Sequence, residues 1–210
     1  MNLVTIIVTR SKSCHVKTLH AILRMNLKCI EARMHNEIVF VDDDPYKKSE
    51  VIQKYIRMCD RLFFIDFGVG LDQETINQVF EKHEGIGCLV FPGVKEGVDW
   101  GLFRAKVSSD TKEPIEQMGL HFDTEVGNEI SKNIYTVKSS EARVWLINTK
   151  NVIKSIKDKK NGNITIHPRT LEKFKEKGVK ICAFTAAKLT MTYAHECVSN
   201  ILNAAGVKAS

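Results

Sequence analysis

Short apolar runs alternate with longer amphipathic segments along the first part of the chain, and this alternation restricts it to a layered α/β fold. The runs at 3–8, 62–65 and 88–91 are almost entirely apolar and are bounded by polar residues, glycine or proline. Runs of this length are typical of strands that are buried on both faces. We therefore expect an α/β fold with a central mixed sheet flanked by helices.

Helix-period segments lie between these strands. Asp44 followed by Pro45 is typical of a helix start, because an N-cap carboxylate precedes a proline at the first helical position. Ser13 and Asp72 are expected to cap two further helices. The first of these is predicted to turn four apolar side chains to the core: Val16, Leu19, Ile22 and Leu23. Two short strands are predicted at 28–33 and 38–41.

Beyond Pro92 the pattern becomes more mixed in polarity. We predict strands at 135–137, 144–147, 164–166 and 179–184, and a short helix that ends at Gly178. A final helix is predicted from 186 to 205. No repeat or linker divides the 210 residues, so one domain is expected.

The composition and the spacing of the cysteines indicate which kinds of site and which cellular compartment to expect. The chain is 43% hydrophobic and 27% charged, with a net charge of +6, and it has six cysteines but no CxxC pair. A zinc knuckle or thioredoxin-like site is therefore not expected. We expect the cysteines to be buried, reduced thiols, which indicates a reducing compartment. No stretch is apolar for about 18 residues and no signal peptide is recognisable. We expect a cytoplasmic protein without a membrane span.

Acidic residues follow two of the predicted strands. Asp42, Asp43 and Asp44 come after the strand at 38–41, and Asp66 comes directly after 62–65. Ligands of open α/β sheets bind at the carboxyl ends of the strands, and a carboxylate there can hold Mg²⁺ or Mn²⁺. Helix capping alone explains Asp44, whereas Asp66, among apolar neighbours, needs a partner.

Three other segments carry candidate site residues. Two hydroxyl side chains and a cation follow one another at the end of the first strand, in Thr9, Arg10 and Ser11. This combination suits a contact with a base, ribose or phosphate, and a simple polar turn is the alternative explanation. The turn-rich stretch 91–100 offers three candidates, namely Lys95 for phosphate, Asp99 as general base and Trp100 for stacking on a sugar. His195 is a further candidate metal ligand. No GxGxxG or Walker loop follows the first strand, which disfavours a dinucleotide fold or a P-loop NTPase.

Taken together, these residues resemble the GT-A nucleotide-sugar glycosyltransferases. Residues 3–11 are similar to the first strand and base-binding loop of that family, and Ile65-Asp66-Phe67-Gly68 is similar to its Asp-x-Asp metal motif. Gly68 stands where the second aspartate is expected. The literal match at 42–44 lies early in the chain, so the resemblance leaves the metal ligand divided between Asp66 and Asp42 or Asp44. It implies a nucleotide-sugar half at about 1–92 and an acceptor half at about 93–210.

The resemblance is closer to one group, the N-terminal glycosyltransferase domain of a chlorella-virus enzyme of capsid-glycan synthesis. The segments 8–11, 63–69 and 97–100 carry it. It implies a UDP-linked donor, a glycan or glycoprotein acceptor, Mn²⁺ or Mg²⁺ as cofactor, and a role in viral capsid glycosylation in the host cytoplasm.

Two alternatives remain open. The missing aspartate at Gly68 favours a nucleotide-binding module without catalysis. The net charge of +6 is compatible with a nucleic-acid-binding protein, but no basic helix or aromatic-basic strand face supports that class. We therefore expect no nucleic-acid partner.

Overall fold

The computed structural model describes residues 2–109 and 115–192. The strands are β1 (Asn2–Thr9), β2 (His35–Asp42), β3 (Arg61–Ile65), β4 (Val69–Leu71), β5 (Cys88–Phe91), β6 (Thr124–Ser131), β7 (Ile134–Ser140), β8 (Val144–Asn148), β9 (Ile181–Phe184) and β10 (Leu189–Met191). The helices are α1 (Val16–Glu31), α2 (Pro45–Tyr55), α3 (Gln73–Gln78), α4 (Trp100–Ser108), α5 (Thr149–Ile156) and α6 (Thr170–Glu176), with a 3₁₀ turn at Ile115–Gln117.

Eight strands form one mixed sheet in the order β2-β1-β3-β8-β5-β9-β7-β6. Strands β1, β2, β3, β5 and β9 run in the same direction, and β8 lies antiparallel between β3 and β5. The carboxyl ends of the five strands therefore meet at one edge, together with the start of β8, where Val144 pairs with both Ile65 and Phe91. The expected mixed α/β architecture is confirmed.

Helices cover both faces of this sheet. Phe64 and Trp145 stack at 4.7 Å between ring centroids on the face covered by α2, α5 and α6. Phe63 and Phe91 meet edge to face at 6.1 Å on the opposite face, which α1 and α3 cover. Successive strand residues point to opposite faces, so one apolar run supplies both cores.

The predictions that rest on uninterrupted apolar runs and strong caps are confirmed. Strands occur at all three runs of the first half and at 135–137, 144–147 and 181–184. Asp44 caps α2 by accepting from the backbone N–H groups of Tyr46 (2.9 Å) and Lys47 (2.8 Å). Asp72 caps α3 through Thr75 N–H at 2.9 Å.

Several predicted boundaries were wrong. The strand predicted at 28–33 is largely the last turn of α1, and 164–166 is not a strand although Ile164 and Ile166 are buried. His15, not Ser13, is the N-cap of α1. The predicted final helix is wrong at its start, because Leu189–Met191 pairs with β4 as β10. The remainder of that prediction, 193–205, lies outside the described residues.

The inward face predicted for α1 was also wrong. Ile22 is buried, but Val16, Leu19 and Leu23 are exposed, because the side that meets the sheet carries a different set: Thr18, Ala21, Ile22, Met25 and Cys29. The helix thus has two apolar sides, and periodicity alone does not say which one is buried. None of the helices in the described part of the chain combines the length and apolar character that a bilayer-spanning segment needs.

Candidate functional site

The loop after β1 is a tight turn with unusual backbone angles. Arg10 and Ser13 exchange backbone hydrogen bonds of 3.2 and 2.9 Å, and Ser11 and Lys12 between them have φ of 50° and 58°. Left-handed angles at non-glycine residues cost about 1–2 kcal/mol each, and such strain is concentrated at ligand clamps and active sites. This turn is therefore a candidate contact for a ligand at the strand-end edge.

Arg10 ties this turn to the loops after β2 and β3. Its Nε lies 2.8 Å from Asp43, and Lys48 Nζ lies 2.7 Å from the other oxygen of that carboxylate. Burial raises the pKa of Asp43, but hydrogen bonds from Lys48 and Arg10 outweigh it and the pKa is lowered. The Arg10 guanidinium also lies 5.2 Å from the centre of the Phe67 ring. Three strand-end loops thus form one connected surface.

Asp66, the first candidate for metal binding, is in an ion pair. Its Oδ2 lies 3.0 Å from Arg143 Nε, and its Oδ1 accepts from Phe67 N–H at 2.8 Å. Arg143 also donates to the carbonyl oxygen of Phe67. Both side chains of the pair are about four-fifths buried. The partner that Asp66 was expected to need is therefore an arginine 77 residues further along the chain.

A cavity of about 550 Å³ opens beside this ion pair. Lys48, Arg143 and Arg169 contribute cations to its wall, and Phe64 and Trp145 contribute aromatic surface. Ligand pockets usually have 300–1,000 Å³, apolar walls and a few convergent polar groups. An adjoining cavity of about 810 Å³ shares Ser140, Glu141, Leu171 and Glu172 with it.

The arrangement of the described residues does not fit a preformed metal site. Both oxygens of Asp66 already have partners, and Asp44 is committed to capping α2. Within 2–109 and 115–192, no three histidine, cysteine or acidic side chains converge in a way that would hold a metal ion. His195 lies outside the described residues. A cation would have to displace Arg143 from Asp66.

Gly68 stands where the resemblance predicts the second aspartate of the metal motif, but the backbone at this position disfavours a side chain. Its φ is +77°, and a Cβ atom would lie 2.9 Å from the carbonyl oxygen of Thr192. We expect Gly68→Ala to lower the free energy of unfolding by more than the roughly 1–2 kcal/mol of left-handed strain alone. Gly85→Ala is the matched control, because Gly85 has φ +69° with nothing within 4 Å. Equal losses in urea unfolding would show that the close approach at Gly68 does not matter.

Of the three candidates after β5, Lys95 lines the larger cavity, whereas Asp99 and Trp100 line neither cavity. Lys95 pairs with Glu141 at 2.8 Å. Asp99 caps α4 through Leu102 N–H at 2.8 Å and lies 3.2 Å from His121, and both contacts lower its pKa. A lowered pKa makes Asp99 a weaker base than the sequence suggested. Trp100 begins α4 and is 63% exposed.

The remaining candidates lie around the loops after β1 and β2. Thr9 is buried and donates from Oγ1 to the carbonyl oxygen of Val41 at 3.2 Å. Asp42 is exposed and pairs with Lys47 at 2.6 Å, a hydrogen bond that lowers the pKa of the carboxyl. The roles predicted for these residues stay predictions.

Asp123 is a buried carboxylate in the wall of the larger cavity. Its Oδ1 accepts from Gly93 N–H at 3.0 Å and from Thr124 Oγ1 at 2.9 Å. Its Oδ2 makes no hydrogen bond of ordinary geometry among the described residues, although the backbone N–H of Arg143 is close enough to lower the pKa of the carboxyl. Burial raises its pKa. Such a group is a functional candidate, because buried polar atoms are normally satisfied.

This raised pKa predicts the direction of a stability change. The unfolded chain loses the Asp123 proton first, so the stability that the protonated carboxyl contributes is complete below about pH 4. It is lost as the pH rises through the folded-state pKa. We expect Asp123→Asn to raise the melting temperature at pH 7 by about 2–4 °C, which corresponds to ~1 kcal/mol. The gain should vanish in thermal melts near pH 3; a loss at both pH values would contradict this.

Sequence reasoning missed several residues of these walls: Lys48, Asp123, Glu141, Arg143 and Arg169. None belongs to a recognisable motif. The only available signal was indirect, since Arg143 directly precedes the strand predicted at 144–147 and Asp66 was expected to need a partner.

The sequence matches no family model and no curated protein. Similar solved structures include GalNAc-T7 with UDP, GalNAc and Mn²⁺, at 10% identity and a TM-score of 0.45, covering 93% of this chain and 44% of that one. The chain thus spans less than half the length of GalNAc-T7.

Two structures of LgtC are also similar to this chain. An active-site mutant has 15% identity and a TM-score of 0.33, covering 87% of this chain and 72% of that one. The galactosyltransferase LgtC in complex with donor and acceptor sugar analogs has 13% identity and a TM-score of 0.32, covering 87% and 73%. Likenesses this distant carry no argument about activity.

Proposed function

We propose that this chain transfers a sugar from a nucleoside-diphosphate sugar to a hydroxyl group of a glycan acceptor. The observation that carries the proposal is the 550 Å³ cavity at the strand-end edge, where Lys48 and Arg143 lie beside Asp66. Its place fits the rule that ligands of open α/β sheets bind outside the carboxyl ends of the strands. Its size suits a nucleotide-sized ligand.

In this proposal Thr9, at the end of β1, and Arg10 and Ser11, in the turn that follows, contact the nucleoside. Lys48 and Arg143 give up part of their contact with carboxylates and bind the diphosphate instead. The diphosphate oxygens accept charge-assisted hydrogen bonds from such cations. Two finer parts of the proposal rest on the sequence resemblance alone. One is that the donor is linked to UDP, and the other is that the chain acts in viral capsid glycosylation in the host cytoplasm.

The reaction itself needs a group to receive a proton. The acceptor hydroxyl bonds to the anomeric carbon of the sugar, the bond from that carbon to the diphosphate breaks, and the hydroxyl proton passes to a base. Asp99 and Asp123 are the two candidates. The raised pKa of Asp123 makes it the stronger base. Loss of transfer in Asp123→Asn but not in Asp99→Asn would assign the role to Asp123.

Mn²⁺ or Mg²⁺ is the proposed cofactor. One or two carboxylates suffice for such a cation, and Asp66 is the candidate. The competing partner is Arg143. A metal requirement that is lost in Asp66→Asn would indicate that Arg143 yields Asp66 to the cation.

Thermal stability with added nucleotides tests the proposal. We expect UDP at about 100 times its dissociation constant to stabilise the chain by ~2.7 kcal/mol, with GDP and CMP giving smaller shifts. Arg143→Gln should lose most of the UDP shift, whereas Arg57→Gln, which removes an arginine that contacts Gly162, should keep it. Running each nucleotide with Mn²⁺ and with EDTA tests the cofactor. No shift with any nucleotide in either condition would overturn the proposal.

The second candidate function is a nucleotide-binding module without catalysis. It is favoured by Gly68, where the positive φ and the close approach of the Thr192 carbonyl oxygen disfavour a second carboxylate. A UDP shift without release of sugar from any UDP-hexose, in the presence of sugar acceptors, would support it.

A further inference from the structure

The outer side of α1 carries a long apolar stripe. Five large side chains at spacings of three and four residues are exposed: Val16 (76%), Leu19 (44%), Leu23 (56%), Leu27 (61%) and Ile30 (66%). They lie on the side of the helix opposite the residues that pack on the sheet. The stripe follows the whole helix, which is about 24 Å long. Contiguous apolar surface of this kind marks an interaction site.

The edge strand extends this apolar surface. Asn36 of β2 donates from Nδ2 to Oδ1 of Asn26 on α1 at 3.5 Å, so this side of β2 faces α1. Ile38 and Phe40 follow at alternate positions and lie on the same face. Ile38 packs into the core below α1, and Phe40 is 57% exposed. The apolar surface is therefore wider than one helix.

Basic side chains border the stripe on its other side. They recur at helical spacing: Lys17, His20, Arg24 and Lys28. Arg24 donates to the side-chain oxygen of Gln73 at 2.5 Å, and Lys28 donates to that of Asn77. Both partners are neutral amides on α3, so these contacts do not neutralise the two charges. Glu31 is the one acidic residue of α1.

We infer that this face of α1 binds the surface of an anionic lipid bilayer, with the five apolar side chains in the acyl boundary and the basic border on the lipid headgroups. An amphipathic helix that lies in a membrane interface combines an apolar face with lysine and arginine beside it. Charge complementarity selects the anionic surface, because each cation near it adds to the attraction. The site is separate from the strand-end cavity, so it does not depend on the proposed activity.

Sedimentation with lipid vesicles tests this inference on the full chain. We expect binding to vesicles of phosphatidylcholine with 30% phosphatidylglycerol, at least ten-fold weaker binding to phosphatidylcholine alone, and weakening by salt. The double variant Leu23→Glu and Leu27→Glu should bind at least ten-fold more weakly. Met58→Glu is the matched control, since Met58 is 61% exposed and lies outside α1. Arg24→Gln should weaken binding to the anionic vesicles only.

Three results would overturn the inference. The first is no binding to anionic vesicles at low salt. The second is equal binding by the double variant and the Met58→Glu control. The third is that the wild-type chain forms a dimer and does not bind vesicles, whereas the double variant is a monomer. A second copy of the chain would then cover the stripe. Unchanged circular dichroism of each variant shows that the exposed positions tolerate the substitutions.

Discussion

Replacing Asp66 with asparagine is expected to reduce release of UDP from UDP-hexoses by at least ~100-fold, a loss typical of removing one charged or polar group from a preorganised site. The substitution leaves the Arg143 guanidinium without its carboxylate while keeping the shape of the side chain. We also expect a loss of about 1–3 kcal/mol in the free energy of unfolding, because a hydrogen bond to a charged group is removed from a mostly buried position. Initial rates and urea unfolding measure the two effects.

Asp44→Asn is the matched control for this variant. Asp44 also follows a strand and carries a carboxylate, but it accepts from two backbone N–H groups at the start of α2. Asparagine is an equally good N-cap, so stability should stay unchanged within ~0.5 kcal/mol. Rates that fall in Asp44→Asn and persist in Asp66→Asn would move the site to the loop after β2, which is the other assignment left open by the sequence.

Replacing Phe63 with alanine should produce the largest loss of stability. Phe63 is fully buried in β3, meets Phe91 edge to face, and belongs to the core between the sheet and α1. Removing a buried phenylalanine side chain costs about 3–5 kcal/mol, since the surrounding core does not collapse into the cavity. The midpoint of urea unfolding measures the loss.

Phe40→Ala provides the comparison within the same sheet. Phe40 lies on the edge strand β2 and is 57% exposed, so its loss should cost much less than that of Phe63. Similar midpoints for the two variants would mean that Phe63 does not belong to a tightly packed core. A large loss in Phe40→Ala alone would mean that the edge strand is covered by further protein.

The strand-end loops show how far sequence reasoning reaches into the site. Asp66 was singled out because a carboxylate after a buried strand needs a partner, and the structure supplies Arg143. The identity of that partner was not predictable, because the two residues meet only when β8 pairs with β3. Asp123 was missed for the same reason, since nothing in its local sequence indicates that it is buried beside Gly93.

The sequence by itself determined the elements whose signals are local. Apolar runs located β1, β3 and β5, and carboxylates that cap backbone N–H groups located the starts of α2 and α3. These signals act within a few residues, and so they survive without knowledge of the fold. Together they establish a mixed α/β chain with acidic residues at two strand ends.

Only the tertiary structure decided which distant elements meet. It inserted β8 between β3 and β5, turned one apolar side of α1 to the sheet and left the other exposed, and paired Asp66 with Arg143. The physical reason is that each of these outcomes depends on the sum of packing and strand pairing across the whole sheet. A helix with two apolar sides, or a carboxylate without a local partner, has no preference until the rest of the chain is in place.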